Sequence, residues 1–171
     1  MLIGLVTGTT PMLKIHPADI NDVSVLTALI RELADYERLS HEAILTEADI
    51  ARDGFGENPK FRALIAEWEG QAVGYACFFE LYSTFHGCAG LFLEDIFVRP
   101  QFRGKGIGKA LLAQVADVAC KEGNSCLRWE VLDWNTPAIE FYRKLGSEFR
   151  SEWKSVCLLG DALQTVAKGA R

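Results

Sequence analysis

The stretch GLFLEDIFVRPQFRGKGIGKALLAQVADVA, residues 90–119, links an apolar run to an amphipathic helix through a basic, glycine-rich loop. The apolar run over 90–98 is interrupted by two adjacent carboxylates, and Pro100 ends it because proline cannot donate to a β-ladder. Apolar residues recur at helical spacing over 107–119, and Gly123 is expected to end that helix. A strand, a loop and a helix in this order predict a crossover unit of an α/β fold.

Elements on both sides of this segment extend the α/β pattern. On the N-terminal side we predict a strand over 13–16, a helix over 20–33 capped by Asp19 or Asn21, a helix from Thr46 to Gly54-Phe55-Gly56, and strands over 61–68 and 73–81. On the C-terminal side we predict a strand over 126–132, a helix from Pro137 to Leu145, and a last strand over 155–159. Glycine in left-handed backbone is expected to end the second helix. Residues 13–171 are predicted to form one domain, and residues 1–12 an N-terminal extension in which Met12 is an alternative initiator.

Composition and charge exclude several classes of protein. Of the 171 residues, 49% are hydrophobic and 24% are charged, which is ordinary for a globular domain and excludes a disordered chain. Lys and Arg number 18 against 23 Asp and Glu, and the net charge of -5 disfavours nucleic acid and anionic membranes as partners. No apolar run reaches the roughly 20 residues that a membrane span requires.

Cysteine and histidine spacing predicts no metal site. The five cysteines are scattered without a C-x-x-C pair, and the three histidines form no H-E-x-x-H motif. An odd number of dispersed cysteines also argues against a disulfide framework, so we expect a reducing, cytoplasmic location.

The basic glycine loop has the composition of an anion site. Glycines let backbone N–H groups approach a phosphate, and a helix start adds unpaired donors and partial positive charge. The loop is not a Walker P-loop, since Ala110 follows Gly108-Lys109, and not a dinucleotide fingerprint, since Lys109 stands where the last glycine belongs. It does satisfy R-x-x-G-x-G through Arg103, Gly106 and Gly108. We therefore expect a pyrophosphate to bind here, with a solvated basic loop as the alternative.

Four blocks of sequence, in order, resemble one family of enzymes. ELADYERL (32–39), LTEADIARDGFGENP (45–59), LEDIFVRPQFRGKGIG (93–108) and VLDWNTPAIEFYRKLG (131–146) are similar to the diamine acetyltransferase branch of the GNAT superfamily, which contains the spermidine/spermine and thialysine acetyltransferases. The resemblance implies an α/β GNAT acyltransferase fold, whose mixed central sheet splays at the acetyl-CoA site and is flanked by helices. It also implies acetyl-CoA as co-substrate, no metal, and a homodimer.

The resemblance assigns a set of residues to the coenzyme. The loop residues expected at the pyrophosphate are Arg103, Gly104, Lys105, Gly106, Ile107, Gly108 and Lys109. Backbone amides of Ile96, Phe97 and Val98 are expected to pair with the pantetheine arm in the manner of an added strand, which requires an unpaired strand edge. Asn135 is expected to hydrogen-bond the same arm, to cap the following helix, or to do both.

Two residues are candidates for proton transfer. The resemblance places the family's glutamate at Glu94, which would accept the proton of the amine through water, and burial in the apolar run is expected to strengthen it as a base. The alternative is a solvent-facing carboxylate, or one paired with Arg99. Tyr142, in the family's Phe-Tyr pair, would protonate the coenzyme thiolate. The alternative for Tyr142 is a core aromatic.

Aromatic and acidic residues imply the site of the amine acceptor. Tyr36 and Glu37 correspond to a Tyr-Glu pair lining the family's amine site, and Trp134 offers an aromatic face to a cation. Glu94 and Asp95 add negative charge suited to a cationic amine. Asp95 points to the opposite face of an ideal strand, unless a bulge brings both carboxylates into one cleft. Glu37 alone is equally compatible with a solvated acid paired with a nearby cation.

Two departures from the family pattern bear on which amine is the acceptor and on which residues bind it. The loop Tyr82-Ser83-Thr84-Phe85 lacks the acidic residue of the polyamine enzymes, and together with residues 131–135 it resembles the thialysine type. No glycine separates Glu152 from Trp153, which puts a substrate role for Glu152 in doubt.

The sequence thus predicts an acetyl-CoA-dependent N-acetyltransferase for the primary amine of a small cationic substrate. Thialysine-like or lysine-like amino acids come first and polyamines second, with direct attack in a ternary complex. Acetylation of protein lysines or N-termini, and a non-catalytic coenzyme A-binding module, are the alternatives.

Overall fold

A computed structural model describes residues 12–170 and divides the chain into two compact units, one ending at Glu130 and one beginning at Val131. The first unit contains β1 (Leu13–Pro17), α1 (Val23–Glu37), α2 (Glu47–Phe55), β2 (Arg62–Trp68), β3 (Gln71–Ser83), β4 (Cys88–Val98), α3 (Ile107–Lys121) and β5 (Leu127–Arg128). The second contains α4 (Thr136–Lys144) and α5 (Gly160–Lys168). The prediction about residues 1–11 lies outside the described residues. Met12 is described, and its carbonyl accepts from the amide of Glu69 at 3.2 Å.

One mixed sheet forms the first unit. The strands lie in the order β1-β2-β3-β4-β5, with antiparallel pairing throughout except for the parallel pair of β4 and β5. β2 and β3 form a hairpin whose two turn residues, Glu69 and Gly70, have φ of 53° and 79°. Positive φ at both positions matches the right-handed twist of the flanking strands. The mixed, helix-flanked α/β fold expected from the sequence is confirmed.

Helices cover both faces of this sheet. α1 and α2 pack on the face formed by a cluster of buried residues that includes Ala63, Ile65, Tyr75, Cys77 and Phe97. Side chains alternate along each strand, so the intervening residues face the other side, where α3 buries Ile107, Leu111, Leu112, Val115 and Ala119. The two faces matter for the site, because they decide which side chains of β4 lie beneath α1.

Local signals set the starts of the first two helical segments. Asp19 caps the short 3-10 turn Ile20–Asp22 that leads into α1, and its carboxylate accepts from the amide of Asn21 at 2.7 Å. Thr46, where the sequence predicted that α2 begins, caps this helix, and Asp49 completes a reciprocal capping box with it. The expectation of a left-handed glycine after α2 is wrong, since Gly56 has φ of -76°. Space, not backbone conformation, requires glycine there, because a Cβ would lie 2.3 Å from the carbonyl oxygen of Arg52.

The C-terminal part of the chain differs most from the sequence prediction. The strand predicted over 155–159 is wrong: these residues carry no strand and precede α5. The strand predicted over 126–132 is much shorter and pairs only at Leu127 and Arg128. Every residue from 148 to 170 is exposed, so this apolar run is not packed into a sheet. In the described part of the chain, no helix combines the length and the apolar character that crossing a bilayer requires.

Candidate active site

The glycine loop forms a turn that leads directly into α3. Gly104 and Gly106 adopt φ of 76° and 82°, a left-handed conformation that costs other residues about 1–2 kcal/mol. Gly106 is the N-cap residue, and no side chain caps the start of α3. The first amides of a helix lack intrahelical partners, so they are directed toward the loop where an anion would bind. The strand-loop-helix geometry expected from the sequence is therefore present.

Two of the three basic side chains of the loop contact aromatic rings of the same unit. The guanidinium of Arg103 lies 4.2 Å from the centroid of the Tyr36 ring, and its Nε donates to the carbonyl of Val98 at 2.9 Å. The ammonium of Lys105 lies 5.1 Å from the ring of Trp68. Arg103 thus joins the loop to the end of β4 and to the end of α1, a role that the sequence did not reveal.

The C-terminal half of β4 has one open edge. β5 pairs only with Leu91 and Phe92, and among the described residues no strand continues this pairing toward Val98. The amide of Arg99 donates to Val73 of β3 at 2.9 Å, whereas the carbonyl of Val98 accepts from Arg103 on the other side. Backbone groups alternate in direction along a strand, so those of Ile96 and Val98 face the open edge.

Phe97 does not share this orientation. By the same alternation its backbone faces β3, and a Cβ on Gly74 of β3 would lie 2.5 Å from its carbonyl oxygen. Of the three amides expected at the pantetheine arm, this geometry favours Ile96 and Val98 over Phe97.

A β-bulge places the two carboxylates of β4 together. Cys77 pairs with Asp95 and Phe78 pairs with Leu93, so Glu94 is the extra residue of the bulge. Glu94 lies on the face opposite to Leu93, and Asp95 shares the face of Cys77, beneath α1. Both carboxylates therefore lie on the same face, which an ideal strand would not allow.

Burial is distributed differently from the sequence prediction. Glu94 is exposed, so the expected burial of Glu94 is wrong. Asp95 is half-buried, and burial raises its pKa from 3.8 to about 6, helped by the negative charges of Glu94 and Glu37. Arg99 is no partner for Glu94, because two of its guanidinium nitrogens donate to Glu32 at 2.7 and 2.8 Å and a third donates to the carbonyl of Ala72 at 2.7 Å.

The end of α1 completes an acidic group on this face. Glu37 is the last residue of α1, and burial raises its pKa. Its charge acts on both Asp95 and Tyr75, which indicates that the three side chains lie near one another. The charges of Glu37 and Glu94 thus both act on Asp95, and Tyr36 lies beside Arg103 at the same helix end.

The residues predicted in the second unit have local roles there. Asn135 is the N-cap of α4, and its side-chain oxygen accepts from the amide of Ala138 at 3.4 Å. Tyr142 is buried, and its ring centroid lies 5.3 Å from that of Phe141. Trp134 is 43% exposed, so part of its ring is accessible to a ligand.

One residue of the site, Tyr75, was not predicted from the sequence. The hydroxyl of Tyr75 donates to Oδ2 of Asp95 at 3.0 Å from a fully buried position. A tyrosine in an apolar strand is usually a core residue, and only the pairing of β3 with β4 reveals its hydrogen bond. The sequence carries one further signal. Tyr75 and Cys77 are two residues apart in the strand that precedes the carboxylate pair, so both lie on the same face of the sheet.

Other features of the described residues lie outside this site. No group of three or more His, Cys, Asp or Glu among them is arranged to hold a metal ion. A cleft of about 210 Å³ between the end of α2 and β2 contains none of the predicted site residues. The tip of the hairpin between β3 and β4 exposes Tyr82 and Phe85, while the hydroxyl of Ser83 lies 2.8 Å from Nδ1 of His86.

An open strand edge that runs into an uncapped, glycine-rich helix start is an arrangement that can hold a phosphate-bearing ligand. The chain belongs to the Acetyltransferase (GNAT) family, whose model matches residues 26–147, and it is an N-acetyltransferase. It is 41% identical to mouse thialysine N-epsilon-acetyltransferase over 165 residues, which cover 90% of this chain and 96% of the relative. It is 30% identical to L-ornithine N5-acetyltransferase of Arabidopsis thaliana over 207 residues, covering 95% and 91%.

Solved structures agree with this assignment of fold. An aminoglycoside N-acetyltransferase in complex with CoA matches with a TM-score of 0.67 at 20% identity, covering 91% of this chain and 98% of the other. At that identity the likeness concerns the fold alone.

Proposed function

We propose that this enzyme transfers the acetyl group of acetyl-CoA to the primary amine of a small cationic amino acid of the thialysine or lysine type. Polyamines are the second class of acceptor. The observation that carries the proposal is the bulge of β4, because it sets two carboxylates beside the open strand edge that leads into the glycine loop. The mouse and Arabidopsis relatives support it, because their names specify side-chain amines of thialysine and ornithine.

The proposed coenzyme site follows β4 into α3. Acetyl-CoA supplies an acetyl group activated as a thioester. Backbone groups of Ile96 and Val98 hold its pantetheine arm as an added strand would, and the loop from Arg103 to Lys109 holds its pyrophosphate. Asn135 adds a hydrogen bond to the arm. The left-handed glycines and the uncapped start of α3 support this proposal, since a side chain in either place would crowd the anion.

The proposed chemistry needs two proton transfers. A protonated amine has no lone pair, so Glu94 takes its proton through a water while Asp95 and Glu37 attract the cation. The nitrogen then attacks the thioester carbon in a ternary complex, the C–N bond forms, the C–S bond breaks, and Tyr142 gives its proton to the departing sulfur. Trp134 presents its ring to the cationic acceptor.

The setting of the enzyme is part of the same proposal. Residues 13–171 act as one N-acetyltransferase domain, supported by the family match that spans both compact units. The protein works in the cytoplasm, supported by five free cysteines. It works as a homodimer, supported by the exposed apolar side chains of the C-terminal segment, which include Trp153, Val156 and Leu159.

A panel of acceptors tests the proposed function. Purified protein is incubated with acetyl-CoA and, separately, thialysine, lysine, ornithine, spermidine, spermine, short diamines and lysine-containing peptides, and free CoA is measured. The expected result is the highest kcat/KM for thialysine or lysine, with weaker turnover of polyamines. Robust turnover of peptides without any free amine would contradict the proposal, as would CoA binding without turnover of any acceptor.

A matched pair of glycine substitutions tests the coenzyme loop. Gly106 and Gly123 lie at opposite ends of α3, both have left-handed backbone with φ of 82° and 74°, and a Cβ at either meets nothing within 4 Å. Gly106→Ala and Gly123→Ala are therefore expected to lose similar stability, about 1 kcal/mol. Only Gly106→Ala is expected to weaken CoA binding, by about ten-fold or more in calorimetric titration. Equal CoA affinity in the two variants would show that the loop does not hold the coenzyme.

A further inference from the structure

Tyr75 is a polar group placed deep in an apolar core. Its side chain is fully buried in the cluster beneath α1, with its ring centroid 6.5 Å from that of Phe97. A buried phenol costs free energy unless its hydroxyl is hydrogen-bonded. The hydroxyl of Tyr75 meets this requirement by donating to Oδ2 of Asp95 at 3.0 Å. Phenylalanine would fill the same space, so the hydroxyl needs an explanation beyond packing.

The contact depends on the bulge of β4. Tyr75 pairs with Phe97 and Cys77 pairs with Asp95, so the phenol reaches along the sheet to the neighbouring pair. Without the extra residue at Glu94, the carboxylates would not both face α1. The same irregularity that assembles the acidic group therefore brings Asp95 within reach of a buried donor.

The groups that face Asp95 have opposite effects on its ionisation. Glu37 from α1 and Glu94 from β4 carry negative charges that favour the protonated acid, and burial does the same. Cys77 of β3 lies on the same face, and its thiol stays protonated because burial and the charge of Asp95 raise its pKa. The hydroxyl of Tyr75 acts in the opposite direction, since a hydrogen bond to the charged form favours ionisation.

We propose that Tyr75 is a positioning residue of the acetyl transfer. Its hydroxyl fixes one oxygen of Asp95, orients the other toward the cationic acceptor, and keeps the carboxylate ionised when that acceptor binds. Tyr75 itself touches neither substrate and acts through Asp95. The inference rests on the proposed function, because it assigns Asp95 to the amine.

The variant Tyr75→Phe tests this role through a pH profile. Asp95 is active when ionised, so kcat/KM for the amine falls as the pH drops through about 6 in the wild type. Loss of the hydrogen bond raises the pKa of Asp95, which moves this acid limb upward by roughly one pH unit. A shift of that size lowers kcat/KM about five-fold at pH 6 and less than two-fold at pH 8.5. The loss is expected in the KM of the amine and not in kcat.

An NMR titration of the Asp95 carboxyl group tests its hydrogen bond to Tyr75 without any measurement of turnover. The carbon resonance of the Asp95 carboxyl group is followed by NMR against pH in wild type and Tyr75→Phe, without substrates. The midpoint is expected to lie higher in the variant. Tyr75→Met, which also lacks a donor, must move the midpoint in the same direction, so the test survives if one variant folds poorly.

Two control variants distinguish a positioning role of the Tyr75 hydroxyl from a role in core packing. Thr27→Val removes another buried hydroxyl, which donates to the carbonyl of Val23 within α1 and does not contact Asp95. Its acid limb is expected to match that of the wild type. In an Asp95→Asn background, Tyr75→Phe is expected to leave the pH profile unchanged, because the group through which it acts is gone.

The outcomes distinguish this inference from the proposed function. If the wild type acetylates no amine of the panel, the proposed function fails, and the assignment of Tyr75 to acetyl transfer fails with it whatever the titration shows. If the wild type is active and Tyr75→Phe keeps both the wild-type acid limb and the wild-type midpoint of Asp95, only the inference about Tyr75 is overturned. A shifted limb with an unchanged kcat supports it.

Discussion

Tyr142→Phe is expected to lower kcat by about 100-fold or more while the dissociation constant of CoA stays within about two-fold of the wild type. The substitution removes only the phenolic oxygen, which is the proposed proton donor to the departing thiolate. The ring remains, and its packing against Phe141 at a centroid distance of 5.3 Å is retained. Steady-state kinetics with the best acceptor of the panel and calorimetric titration with CoA measure the two quantities.

Phe141→Leu is the matched control for Tyr142→Phe. Phe141 lies in the same helix and forms the other half of the ring contact, but it has no proton to give. Its replacement is expected to reduce stability and to leave kcat within about three-fold of the wild type. If Tyr142→Phe loses CoA affinity and kcat to the same extent, Tyr142 serves packing or binding and the proposed proton donor must be sought elsewhere.

Strong local signals made most of the fold predictable from sequence. The helical spacing of α3, the capping box at Thr46 and the proline after β4 act over a few residues, so they are visible in one chain. The strand predicted over 155–159 failed because an apolar run forms a strand only where a sheet edge is available to it. That condition depends on distant residues, and the segment lies exposed before α5.

The candidate site was predictable in its residue types and not in its geometry. The glycine loop and the adjacent carboxylates stand out as residues that an ordinary strand and turn would not contain. Which carboxylate is buried depends on the register of β4 against β3, and the bulge that sets it has no signature within β4 alone. The more buried carboxylate is therefore Asp95 and not Glu94, and the hydrogen bond from Tyr75 of β3 to Asp95 was not predicted.

The half-buried position of Asp95 has an energetic consequence. Its pKa is higher in the folded chain, about 6, than its ordinary value of 3.8, so the folded state binds this proton more tightly than the unfolded state. The contribution of Asp95 to stability is therefore fully present below pH 3.8 and is lost as the pH rises through about 6. At neutral pH the fold keeps a buried charge at a cost on the order of 3 kcal/mol. A site that binds a cationic amine explains why such a charge would be kept.

Asp95→Asn is accordingly expected to make the protein more stable and less active. The amide keeps an oxygen that can accept from Tyr75 but carries no charge to bury. The free energy of unfolding is expected to exceed that of the wild type by on the order of 3 kcal/mol at pH 7.5 and by much less at pH 4. The two values converge below pH 3.8, where Asp95 becomes protonated in the folded and the unfolded state alike. The kcat/KM for the amine is expected to fall about 100-fold, because the acceptor loses its buried counter-charge.

Urea unfolding at pH 4 and at pH 7.5 measures this stability difference, with Glu94→Gln as the control. That substitution makes the same chemical change one residue earlier in β4, but Glu94 is exposed, so little desolvation is relieved. Its gain at pH 7.5 comes from removing the repulsion between Glu94 and Asp95 and should be clearly smaller than that of Asp95→Asn. Comparing the stability changes of Asp95→Asn and Glu94→Gln separates the effect of burying a charge from the effect of removing one. If Asp95→Asn is less stable than the wild type at pH 7.5, or gains the same amount at both pH values, the carboxylate is not a desolvated charge held for the acceptor, and the direction of its pKa shift is wrong.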